Sequence, residues 1–244
     1  MGLVRTPQER GIVTLTLDDP DRRNALSAGL LRDLAGALDD CGKDPGVRAV
    51  VLAHTGSTFC SGADLREPPD PFDLVALLRQ IVELPKPVVA RVEGHVRAGG
   101  LGLLGVCDLA VAGPGATFAL TEVRIGVAPA VISMPLLARL DPGAASRYFL
   151  TGERFGGAEA ARIGLVTAAG QDVDAELAPL IDGLRKGAPQ ALAETKKLLT
   201  AKVLDAFDHH TDSLVALSAR LFASAEAREG MGAFLERREC PWVL

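Results

Sequence analysis

Two short segments of this chain hold residue types that can stabilise a negatively charged oxygen: Phe59-Cys60-Ser61-Gly62-Ala63-Asp64-Leu65 and Gly94-His95-Val96-Arg97-Ala98-Gly99-Gly100-Leu101-Gly102. Each follows an apolar run of β character, Val47 to Ala53 in one case and Pro87 to Val92 in the other, and each is expected to open a helical stretch. Backbone N–H groups at a helix N-terminus have no intrahelical acceptor, so the two segments can offer paired donors to one oxyanion. Gly62, Ala63, Ala98, Gly99 and Gly100 are small enough to let a ligand approach the main chain closely.

The elements that must position these segments follow from the hydrophobic pattern. Gly11 to Leu17 reads as a strand, ended by the turn Asp18-Asp19-Pro20-Asp21. Ser27 is placed to cap a helix whose Leu30, Leu31, Leu34 and Leu38 recur at helical spacing until Lys43-Asp44-Pro45-Gly46 stops it. Val47 to Ala53 has the continuous apolar character of a buried strand, Phe72 to Val82 is helical, Val88 to Val92 is a strand, and Cys107 to Ala112 is another. This alternation predicts an α/β class. From Asp174 to Gly232 the chain is rich in Ala, Leu, Glu, Lys and Arg and is expected to be mainly helical. We divide it into a core over residues 1–188 and a C-terminal helical region over 189–244, with the break at Pro189.

Composition narrows the function classes. The chain has 244 residues, 48% of them hydrophobic, enough for one substantial core. A net charge of −5 argues against a general nucleic-acid binder. No apolar run reaches the roughly 20 residues of a membrane span, and Arg5, Glu9 and Arg10 stand where a signal peptide needs an apolar centre, so a cytoplasmic location without membrane attachment is expected. Cys41, Cys60, Cys107 and Cys240 form no Cys-x-x-Cys pair, and His209-His210 has no further ligands beside it, so no metal is expected. Gly100-Leu101-Gly102-Leu103-Leu104-Gly105 matches the dinucleotide-binding pattern, with Glu122 at a distance where a ribose-binding acid could sit, but the strand before it ends early, at Val92, and the helix after it has room for only about two turns.

Motifs in order along nearly the whole chain resemble the enoyl-CoA hydratase/isomerase, or crotonase, family. They are Arg23-Asn24-Ala25-Leu26, Phe59 to Leu65, Gly94 to Gly100 with Cys107-Asp108, Glu122-Val123-Arg124-Ile125-Gly126, Thr151-Gly152-Glu153 with Gly164-Leu165-Val166, and the ending Glu229-Gly230 with Phe234 to Arg238 and Pro241-Trp242. The resemblance implies a core of repeated β-β-α turns with a C-terminal helical region, assembled as a homotrimer or hexamer, and an acyl-CoA thioester as the molecule acted on, with no separate cofactor.

Carried over residue by residue, the resemblance implies that the N–H groups of Ala63 and Gly99 bind the thioester oxygen and that Glu122 transfers a proton. It further implies that Asp64, Leu65, Arg66 and Gly100 help bind the substrate. Arg66, and more weakly Arg23, match places near the coenzyme A phosphates. Glu67-Pro68-Pro69-Asp70-Pro71 is expected to border the acyl pocket. The chain departs from the pattern at Gly102, where two-glutamate hydratases carry their second glutamate. Hydration of a 2-enoyl-CoA is the leading expectation; double-bond isomerisation by a single glutamate, or acyl-CoA binding without turnover, are the alternatives. His95 and Arg97 are the polar groups closest in sequence to the gap, and their roles stay open at this point.

Overall fold

Alternating apolar runs become two sheets that share a spine of β-β-α repeats. The computed structural model describes residues 2–64 and 66–244. In chain order the elements are β1 (Leu3–Arg5), β2 (Ile12–Leu17), a 3-10 turn (Pro20–Arg22), α1 (Ala28–Lys43), β3 (Ala49–His54), β4 (Thr58–Cys60), α2 (Pro71–Glu83), β5 (Val88–Val92), β6 (His95–Arg97), α3 (Gly99–Gly105), β7 (Leu109–Ala112), β8 (Thr117–Ala119), a second 3-10 turn (Glu122–Ile125), α4 (Ser133–Arg139), α5 (Pro142–Thr151), β9 (Phe155–Gly156), α6 (Gly157–Arg162), β10 (Ala168–Ala169), α7 (Val173–Lys186), α8 (Pro189–Phe222) and α9 (Ala225–Glu236).

The larger sheet has the order β1-β2-β3-β5-β7-β10 and the smaller one β4-β6-β8-β9. β3-β4-α2 and β5-β6-α3 each place one strand in either sheet before turning into a helix, and β7-β8 repeats the strand pair. Among the described residues only β1 and β9 run antiparallel to their neighbours. Parallel strands covered on both faces need unbroken apolar sequence, which is why Ala49 to Ala53 is wholly buried.

Local chemistry sets the ends of the elements. The Ser27 hydroxyl accepts from Leu30 N at 3.2 Å, a cap worth about 1 kcal/mol. α1 buries Leu30, Leu31, Leu34, Leu38 and Cys41 against the main core. α7 covers the opposite face of the larger sheet with Val173, Leu177 and Ile181. α8 begins at Pro189, packs on α2 and α4, and sends Phe207 and Val215 into the main core. Lys196 of α8 is buried, donating to the carbonyls of Ile81 (2.7 Å) and Lys86 (3.1 Å) and pairing with Asp108 at 2.8 Å. No helix among the described residues is long and apolar enough to cross a membrane.

Candidate active site

Ala63, Gly99 and Glu122 follow three neighbouring strands of the smaller sheet. β4, β6 and β8 are parallel neighbours, with Cys60 opposite Val96 and Arg97 opposite Ala119. Ala63 lies three residues beyond Cys60, Gly99 two beyond Arg97, and Glu122 three beyond Ala119, so all three leave the carboxyl ends of adjacent strands. Ligands of parallel sheets gather at such ends, where the main chain turns away and leaves a crevice.

Ala63 and Gly99 lie side by side. A methyl group built on Gly99 would be 3.4 Å from Gly62 Cα and 3.5 Å from Ala63 N. Among the described residues neither N–H has an acceptor within the protein. Gly99 fits its expected place as the first residue of α3, whose opening turn has unpaired donors. Ala63 does not sit at a helix N-terminus, because α2 begins only at Pro71. It stands instead in a parallel bridge with Leu26, where Leu26 N donates to Gly62 O (2.8 Å) and Asp64 N to Leu26 O (3.1 Å), leaving the intervening N–H of Ala63 over. Gly62, at φ +95°, makes the turn that an L side chain resists, and a Cβ there would be 2.7 Å from that of Ala98.

Glu122 opens the second 3-10 turn and is 7% exposed. Its Oε2 is buried with no hydrogen-bond partner, and burial pushes the carboxyl up to about 7 against a small opposing pull from its own backbone N–H. Arg124 does not pair with it; its Nε donates to Thr151 O at 3.1 Å. A carboxyl without an ion partner, held near neutrality by desolvation, can both give and take a proton at physiological pH.

Gly102 is closed off. A Cβ there would lie 2.5 Å from Ile132 Cγ2 and 3.0 Å from Ile132 Cβ. The other glycines of α3 also serve packing: a Cβ at Gly100 would be 2.6 Å from Cys60 O, and one at Gly105 would be 3.0 Å from Leu136 Cδ2. Every residue of α3 is buried. The Gly-x-Gly-x-x-Gly run is therefore a tightly packed helix with no space for a pyrophosphate, which removes the dinucleotide reading.

The remaining expected residues fall around the edge. Asp64 shapes the turn, its Oδ1 accepting from Arg66 N at 2.9 Å and its Oδ2 lying 4.0 Å from Arg22 Nη1. Arg66 is exposed, and Leu65 lies outside the described residues. The Cys60 thiol, pushed up to about 12 by burial, stays protonated and is no nucleophile. Asp108 binds Val88 N at 2.7 Å and the Lys196 ammonium, a structural role. His95 and Arg97 turn away from the gap at Gly102: the His95 Nδ1 meets Thr117 Oγ1 at 2.9 Å, and Arg97 donates to Thr117 O at 2.6 Å.

Sequence reasoning missed what holds Glu122 in place. A Cβ on Gly230 of α9 would be 2.5 Å from the carbonyl of Ile125, and one on Gly126 would be 2.6 Å from the carbonyl carbon of Glu226. α9 thus lies with its backbone against the turn that carries Glu122. The signal was present in the Glu229-Gly230 motif, but nothing local connects it to residues more than a hundred positions earlier.

The family model described as enoyl-CoA hydratase/isomerase matches residues 7–243. The chain belongs to the enoyl-CoA hydratase/isomerase family. A crystal structure of an enoyl-CoA hydratase from Mycobacterium avium superposes with a TM-score of 0.91 at 52% identity, over 96% of this chain and 94% of its own. An enoyl-CoA hydratase/isomerase from Pseudoalteromonas atlantica has a TM-score of 0.89 at 27% identity, with each chain fully covered (100% and 100%). A Thermus thermophilus relative, named provisionally as an enoyl-CoA hydratase, is 36% identical over 245 residues, 94% of this chain and 97% of that protein. The crotonase-type core of β-β-α repeats and the membership of this enzyme family are therefore both established.

Proposed function

We propose that the protein hydrates a 2-enoyl-CoA thioester with one carboxyl group, Glu122, and two main-chain donors, the N–H groups of Ala63 and Gly99. The observation that carries this is the unpartnered, buried Oε2 of Glu122, which follows β8 as the two N–H groups without an acceptor among the described residues follow its neighbours β4 and β6. As water adds to C3, the thioester oxygen takes up charge as an enolate, and the two donors stabilise that state more than the ground state. Protonated Glu122 gives its proton to C2 while its second oxygen takes one from the attacking water, so the carboxyl ends the cycle as it began. The scheme uses no cofactor beyond the coenzyme A of the substrate. Arg66, exposed beside the turn that Asp64 shapes, is proposed to meet the coenzyme A phosphates.

A second reading, isomerisation of a 3-enoyl-CoA, is favoured by the filled space at Gly102. Here Glu122 as carboxylate removes a proton from C2 and returns it to C4. A carboxyl near 7 is suited to either direction. Loss of conjugated enoyl-thioester absorbance, with added water detected by mass and the signal abolished in Glu122→Gln, would support hydration. Formation of that absorbance from a 3-enoyl-CoA with no change of mass would support isomerisation, and no turnover of either class would leave only the acyl-CoA-binding reading.

We also propose a trimeric or hexameric assembly in the cytoplasm. Its support is the apolar surface left by the single chain, including Leu150 (76% exposed), Leu198 (80%) and Leu235 (64%).

A further inference from the structure

Away from the proposed chemistry, the outer face of the smaller sheet collects positive charge. Val96, Phe118 and Phe155 point inward and are buried, so by strand alternation His95, Arg97 and Thr117 point outward. His95 is paired across with Thr117, and Arg97 with Ala119. Phe155 is paired with Phe118, so Arg154, the residue just before antiparallel β9, continues the row of Arg97 and Ala119. On the other flank Ser61 N donates to Arg23 O at 3.2 Å, which brings Arg23 to the same end of β4. Arg97 and Arg154 thus share one row, with the Arg23 segment beside its β4 end and an imidazole and a hydroxyl on the row behind.

The charges in this row are not balanced. Arg97 is half-buried, and its bonds run to neutral acceptors: Val96 O at 2.8 Å, Thr117 O at 2.6 Å and Thr117 Oγ1 at 2.8 Å. Among the described residues no carboxylate pairs with Arg23, Arg97 or Arg154, whereas Arg79, Arg91, Arg147, Arg162 and Arg238 each hold one. Burial and the Arg154 charge push Arg97 down to about 10, and burial and the charges of Arg97, Arg154 and Arg23 lower His95. Like charges gathered in a chain of net charge −5 attract an anion and are relieved by one. The Arg97 fork, fixed by three hydrogen bonds, has its conformation set before any ligand arrives.

We propose that this face is a binding site for a phosphate-bearing small molecule, gripped by Arg97 and Arg154 with Thr117, His95 and Arg23 at its margins. Phosphate is the chemistry that matches planar guanidinium donors supplemented by hydroxyl and imidazole groups. Because Gly99 follows Arg97 by two residues, the phosphate could belong to the thioester substrate or to a separate molecule, and the test separates these.

Pyrophosphate is titrated calorimetrically into the wild-type protein and into Arg97→Gln and Arg154→Gln, with 3′,5′-ADP in a parallel series. The expected result is saturable pyrophosphate binding that weakens by about tenfold or more in each variant, and that weakens with added salt. Arg154 is exposed and makes no hydrogen bond of its own among the described residues, so its variant keeps the test valid if Arg97→Gln folds poorly. Competition by coenzyme A and by 3′,5′-ADP would support the site and assign it to the substrate's own phosphates. Binding that persists with coenzyme A bound would support it as a site for a second molecule. Absence of pyrophosphate binding at millimolar concentration, or equal affinity in all three proteins, would overturn the proposal.

Discussion

Ile132 stands where a side chain on Gly102 would have to grow, with its Cγ2 2.5 Å from the Cβ position. The gap in the two-glutamate pattern is thus filled by an apolar residue that is only 4% exposed. Restoring the carboxylate alone should fail. Gly102→Glu is expected to lower stability by about 1–3 kcal/mol, the range typical of overpacking, and to gain no hydration activity. Gly102→Glu combined with Ile132→Ala should recover part of that loss, and a urea double-mutant cycle should give a favourable coupling of about 1 kcal/mol or more. Additive effects would show that Ile132 does not control the space.

The pH dependence of turnover separates the two proposed reactions. Burial holds Glu122 at about 7. If it acts as the acid that protonates C2, kcat falls as pH rises through 7; if it acts as the base that removes a proton from C2, kcat falls as pH drops below 7. Glu122→Gln should reduce kcat by roughly 10²- to 10⁴-fold in either case, with a far smaller change in KM. A flat profile between pH 6 and 8, both rough bounds around that value, would remove Glu122 from the rate-limiting proton transfer.

The same carboxyl gives a stability signature. Its folded pKa is raised above the unfolded value of 4.5, so the folded state holds the proton more tightly. The stabilisation is complete below 4.5 and is lost as pH rises through 7. Between about pH 5 and 8 the wild type should therefore lose on the order of 2 kcal/mol relative to Glu122→Gln. Chemical denaturation at the two pH values measures the difference directly; an unchanged gap would mean that Glu122 is already ionised at pH 5.

What the sequence revealed and what it hid divide along length scale. α1 with its Ser27 cap, α2 and β5 were legible because their apolar periodicity extends over five or more residues. β4, β6, β8 and β9 were not, since strands of two or three residues carry no period. Ala63 was found through its motif, but its N–H is free because of the bridge to Leu26, a contact that only the folded chain makes. The absence of a carboxylate at Gly102 was plain, while Ile132, thirty positions on, could be connected to it only in three dimensions. The arginine row was hidden for the same reason, its members being distant in sequence and aligned by the short strands.

Contact between α9 and the turn of Glu122 predicts a remote effect on catalysis. Gly230→Ala places a methyl 2.5 Å from the Ile125 carbonyl, so the turn must shift or the helix must withdraw. We expect a loss of about 1–3 kcal/mol in stability and a fall in kcat at nearly constant KM, since Glu122 moves while the N–H groups of Ala63 and Gly99 stay in place. A variant with wild-type kcat and reduced stability would confine the contact to a structural role.

Lys196 makes the corresponding prediction for the long C-terminal helix. Its ammonium is 4% exposed on the side chain, sits 2.8 Å from Asp108, and donates to two carbonyls at the end of α2 and before β5. Asp108 in turn receives Val88 N, so one ion pair joins α8 to the strand that leads into the Gly99 segment. Removing the ammonium with Lys196→Met leaves a buried carboxylate and two unpaired carbonyls, at a cost of about 3–5 kcal/mol. Adding Asp108→Asn removes the orphaned charge and should return part of that loss. Equal destabilisation in the single and double variants would indicate that the lost carbonyl contacts, and not the unpaired charge, dominate the penalty.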